Sequence, residues 1–112
     1  MSARMQARLW LAQRVSALLL ALCIIVHLAT MIYAVRGGLS AAEILGRTHG
    51  NYAWFAFYSL FVFSVAVHAP IGLRTIIGEV FGWRGAVPDA LVLLTGIVMA
   101  LAGMRAVLGV FS

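Results

Sequence analysis

The chain has 112 residues, of which 64% are apolar and only 10% charged, with a mean hydropathy of +1.07 and a net charge of +5. A soluble domain carries about 25% charged residues, so this composition excludes a water-exposed globular enzyme and describes one small membrane domain over residues 1–112. All of the basic charge is arginine, read here as standing at the ends of apolar segments with no basic run and no interleaved aromatics. That pattern points to lipid phosphates and away from nucleic acid.

In chain order, Arg4, Arg8 and Arg14 precede a first apolar span over about residues 10–35. Basic residues before an apolar run also open a signal peptide. Here the run continues for about twenty residues without a small-x-small cleavage site, so it is read as a retained span. Cys23, the only cysteine, permits no internal disulfide or thiolate cluster and is read as a small apolar filler. Arg36-Gly37-Gly38 breaks the span, and a polar loop is expected over 38–51, carrying Glu43, Arg47 and His49. His49 is read as a solvated or interfacial side chain.

A second span is expected over 52–77, rich in aromatics from Trp54 to Phe63 and interrupted by Pro70 and Gly72. Pro70 has no N–H to donate to the Ala66 carbonyl, which predicts a kink. A turn region over 78–89 holds Glu79, Trp83, Arg84 and Pro88, and a third span runs over about 90–110. Gly96, Ala100 and Gly103 in the third span allow close helix approach. The expected fold is an all-α membrane protein with three transmembrane helices. The distribution of arginine predicts the N-terminus and the second connection on the inner side.

Two histidines fall inside spans, where an ionisable side chain is a functional-site hypothesis by default. Imidazole is a good iron ligand, so a membrane-embedded haem is the first idea to test. Measured from Arg14, His27 lies about 20 Å deep, and measured from Arg74, His68 lies about 9 Å deep. Taking both arginines as markers of one interface, the histidines are offset by about 10 Å and are badly placed to grip one iron. A hydrogen bond to a neighbouring helix also satisfies a neutral imidazole, and for His27 that reading stays open.

The stretch His68-Ala69-Pro70-Ile71-Gly72-Leu73-Arg74, with Glu79 beyond it, resembles the second helix of succinate dehydrogenase cytochrome b membrane-anchor subunits. Gln13-Arg14-Val15-Ser16 is similar to the family's His-Arg-x-Ser/Thr entry motif, with Gln13 in place of the usual His. The three-span layout and chain length agree. The resemblance implies half of a helical bundle completed by a sister subunit or second copy, which anchors a flavoprotein and an iron–sulfur protein to the membrane. It implies haem b with His68 as an axial ligand, and a second haem at His27, as in two-haem relatives. It implies quinone as the electron acceptor, with Arg14 and Ser16 near the quinone or the haem propionates. The family's usual quinone serine falls at Trp10 here, which leaves Ser16 or a partner to supply that donor. Gly72, one turn from His68, would admit the porphyrin edge. Arg74 and Arg14 would meet propionates, with lipid phosphates as the competing partners. The residues also leave open a small multi-span transporter, although Glu43, Glu79 and Asp89 all lie in loops or at span ends, where no intramembrane carboxylate can exchange protons. A haem-free anchor and a fumarate reductase subunit remain as further alternatives.

Overall fold

The computed structural model describes residues 2–112. It contains four helices and, among the described residues, no strand: α1 (Ala3–Gly37), α2 (Ala41–Thr48), α3 (Tyr52–Val80) and α4 (Ala86–Phe111). Three of them, α1, α3 and α4, are long and apolar enough to cross a membrane. The molecule measures 49 × 24 × 22 Å, a bundle about as long as a bilayer with its headgroups is thick.

The helices begin and end where local chemistry satisfies the free backbone groups. The Ser2 side chain accepts from the Met5 N–H at 3.2 Å, so α1 starts well before the apolar run, because Arg4 and Arg8 are good helix formers. Asn51 accepts from the Trp54 N–H at 3.1 Å and starts α3. Gly38, at φ 88°, ends α1 in a conformation that disfavours side chains.

The expected polar loop over 38–51 contains a helix, which corrects the sequence reading. Ser40 caps α2 by accepting from the Glu43 N–H at 3.1 Å. Ser-x-x-Glu is a helix-start signature, and that signal was available in the sequence. Glu43 and Arg47 face each other across one turn at 3.8 Å. Thr48 Oγ1 lies 2.9 Å from the Val110 carbonyl and the Gly50 N–H donates to the Phe111 carbonyl at 2.8 Å, so this segment satisfies the C-terminal carbonyls of α4. The connection between α3 and α4 is shorter than expected, since α3 continues to Val80 and α4 begins at Ala86. Pro88 is accommodated in the first turn of α4, where its missing N–H costs nothing.

α3 packs between α1 and α4. Its contact with α4 is built on absent side chains. A methyl group on Gly96 would lie 2.7 Å from Cγ of Pro70 and 3.0 Å from the Ala66 carbonyl oxygen, and one on Gly103 would lie 2.6 Å from Cγ1 of Val62. The Ala66 carbonyl is the one that Pro70 leaves without its helical donor, and α4 covers it closely because residue 96 is glycine. α3 is helical through Pro70. Most large apolar side chains face outward, as a lipid solvent requires.

Gly96→Ala is expected to lower stability. Helix propensity favours Ala by about 1 kcal/mol, but overpacking against a rigid ring and a backbone oxygen costs about 1–3 kcal/mol. Gly109→Ala meets open space and is expected to be neutral or stabilising. Thermal midpoints of the two variants in the same detergent check both outcomes.

Candidate functional site

The antiparallel seam between α1 and α3 is fixed by three contacts. Ser16 Oγ lies 3.4 Å from Nδ1 of His68. A methyl group on Gly72 would lie 3.2 Å from Nε2 of Gln13. The ring of His27 meets Phe61 and Tyr58 edge-on, at centroid distances of 5.5 and 6.0 Å. Gln13, Ser16, Leu20, Cys23 and His27 recur every three or four residues and form one stripe of α1, and Ser16, Leu20 and Cys23 are buried.

This register separates the two histidines further than the sequence reading gave. His68 is level with Ser16, and His27 stands eleven positions further along α1 than Ser16, so the offset is about 16 Å, not about 10 Å. The error arose from treating Arg14 and Arg74 as one depth marker. In the observed register Arg74 lies about one turn beyond Arg14. The wider offset leaves the two rings still worse placed to grip one iron.

His68 stands in a groove of about 580 Å³ between α1 and α3, lined among others by Trp10, Gln13, Arg14, Gly72 and Arg74. The Ser16 hydroxyl also reaches the Gln13 carbonyl, donating to it at 3.1 Å. With its proton used in that way, it accepts from Nδ1–H of the tautomer that leaves the Nε2 lone pair open. No partner for Nε2 is found among the described residues. Ser16 is only 4% exposed. The structure thus sets it against the ring of His68 and not at the open groove.

The charged side chains are differently engaged. Arg14 is exposed, and its guanidinium lies 5.2 Å from the centroid of the Trp10 ring. The Nε–H of Arg74 donates to Oδ1 of Asp89 at 2.7 Å, which ties α3 to the first turn of α4. Asp89 is the partner of Arg74 that sequence reading left as a span-end acid. Its position in a helix first turn, where a carboxylate complements the dipole, was the available signal. The Oε1 atom of Gln13 is buried without a donor.

His27 occupies a second site, an apolar cleft of about 360 Å³ between α1 and α4. Tyr58 and Val62 line it from α3, and α2 contributes Ile44, Arg47 and Thr48. Nδ1 of His27 is buried with no hydrogen-bond partner. The reading of His27 as a hydrogen bond to another helix therefore finds no partner within the described residues. His49 caps the end of α2 and is exposed, as expected. Among the described residues no three His, Cys, Asp or Glu side chains gather as a metal-ion site.

The fold and this seam define a small polytopic helical membrane protein that presents one imidazole nitrogen to a groove and a second imidazole to an apolar cleft. The family model described as succinate dehydrogenase/fumarate reductase transmembrane subunit matches residues 1–104, and the chain belongs to that family. It is thus a multi-pass membrane subunit of such a complex. No curated protein and no solved structure matches the chain.

Because both carboxylate and guanidinium are substantially exposed, at 47% and 34%, the Arg74–Asp89 pair is expected to contribute only about 0.2–1 kcal/mol. A double-mutant cycle of Arg74→Gln and Asp89→Asn on thermal stability reads the coupling directly.

Proposed function

We propose that this chain is the membrane-anchor cytochrome b subunit of a succinate:quinone oxidoreductase, holding haem b through His68 and forming part of the quinone site. The observation that carries the reading is the Ser16–His68 contact, which leaves Nε2 of an intramembrane imidazole free beside a groove. A lone imidazole cannot chelate a bare ion, but it supplies the one bond that a porphyrin iron lacks on each face. The residues present therefore suit haem. Bound haem supplies a one-electron carrier in the membrane.

The roles of the chain's own residues follow from their surroundings. His68 would give the axial bond. Ser16, by accepting from Nδ1–H, would fix the tautomer and the ring plane, as second partners of ligating histidines do. Gly72 keeps the groove wall low beside His68. Arg14 would pair with a propionate or a quinone oxygen through charge-assisted hydrogen bonds. Arg74 uses only its Nε–H on Asp89, so its terminal nitrogens retain donors for the same purpose. Arg14, exposed beside the groove, suits the quinone carbonyl.

His27 is proposed as an axial ligand of a second haem b. Its ring lines an apolar cleft. The two rings are offset by about 16 Å along the seam, so each haem would need a further ligand from a sister membrane subunit or a second copy. A flavoprotein and an iron–sulfur subunit on the inner side would deliver electrons from succinate. The proposed setting is the inner (cytoplasmic) membrane, with the N-terminus inside.

The reduced-minus-oxidised spectrum of the purified complex tests this. A b-type α band is expected, abolished or halved by His68→Ala, with a separate loss on His27→Ala. Ser16→Ala is expected to keep the band but weaken haem retention about 10–100-fold. A complex with full subunit content and no b-type band contradicts the reading.

A further inference from the structure

Arg105 departs from the rule that arginines stand at span ends. It lies inside α4, six residues or about 9 Å before Phe111. It is exposed, and it makes no ion pair or hydrogen bond with any described residue. Gly103 and Val107, which line the His27 cleft, are each two residues away, so Arg105 points about 160° around the helix from them. Its charge is therefore not directed into either site described above.

The surrounding face is apolar. Leu94, Val98, Leu101 and Leu108 are all exposed. Ala102 and Gly109 flank the arginine on the same side, and a methyl group on Gly109 would meet nothing within 4 Å, so another helix can approach closely there. A charge placed in such a face needs an anion. Lipid phosphate is the ordinary answer for an arginine near a span end, reached by snorkelling. Geometry works against it here. Side chains leave a helix tilted toward its N-terminus, so from α4 the stem of Arg105 starts away from the nearer interface and deeper into the hydrocarbon.

We infer that the Arg105 face of α4 is a docking surface for a transmembrane helix of a different chain, one that presents an Asp or Glu carboxylate at this depth. A second copy of this chain does not fit. Its acids are Glu43, Glu79 and Asp89. Glu43 is committed to Arg47 on α2, Asp89 to Arg74, and Glu79 and Asp89 lie at the opposite end of the bundle from Phe111. The proposal rests on family membership in a multi-subunit complex and is independent of haem or quinone binding.

The chain contains no lysine, which makes the test specific. In the intact complex, Arg105→Lys places the only side-chain amine of the chain at this position. Dicyclohexylcarbodiimide, which enters apolar regions, condenses an amine and a carboxylate in contact into an amide and takes up the water released. The expected product is an adduct joining position 105 to an Asp or Glu in a transmembrane segment of another chain, mapped by mass spectrometry. Arg105→Leu is expected to lower the second membrane chain retained after detergent extraction at least ten-fold, while Arg105→Lys retains it. Retention by Arg105→Leu equal to wild type, or an intact Arg105→Lys complex with no adduct at 105, overturns the proposal and assigns the charge to lipid phosphate. If the Arg105→Leu chain is lost from the membrane altogether, the cross-link alone decides.

Discussion

In hydrocarbon no water stands ready to satisfy a polar side chain, so each one must find a partner in protein, cofactor or the interface. The α1/α3 seam is organised by that constraint. Gln13 lies over Gly72, Ser16 meets His68, and His27 meets Phe61 and Tyr58. These contacts set the register of two long helices whose outward faces are otherwise interchangeable apolar surface. Gln13 Oε1, His27 Nδ1 and the fully buried Ser64 Oγ lie in the interior without a hydrogen-bond partner.

The two sides of α3 serve different ends. Toward α4, glycines at 96 and 103 bring backbones together, cover the carbonyl that Pro70 leaves open and make a rigid pair. Toward α1, polar side chains replace small ones, and the interface opens into a groove at one end and a cleft at the other. The pair α3/α4 is thus held by close backbone approach, and the seam with α1 holds both intramembrane histidines. α2 closes the Tyr52 end of the cleft and satisfies the last carbonyls of α4, so a segment outside the spans completes the second site.

The sequence showed the three spans, because twenty or so apolar residues between arginines leave little choice, and the structure moved their ends by only a few residues except at Ala3. It showed His68 and His27 as candidates, because imidazole in an apolar run is rare. It did not show which residues face each other. The pairing of Ser16 with His68 joins positions 52 residues apart, and no periodicity within one helix reveals it. The 16 Å separation was missed for the same reason, since depth was inferred from charges taken to be level. α2 was missed although Ser40 and Glu43 signalled it, because its residues averaged into a polar loop. Arg105 was missed because the strong hydropathy around it concealed a single charge.

Family membership fixes the setting, a membrane subunit of succinate dehydrogenase or fumarate reductase, and the seam supplies the physical reason to place a redox group there. A density map of the whole membrane complex, at a resolution that separates porphyrin from lipid, tests this most directly. The account predicts iron bonded to Nε2 of His68 while Nδ1 still faces Ser16. A ring at position 68 surrounded only by side chains and acyl chains, with well-ordered density throughout, would contradict it.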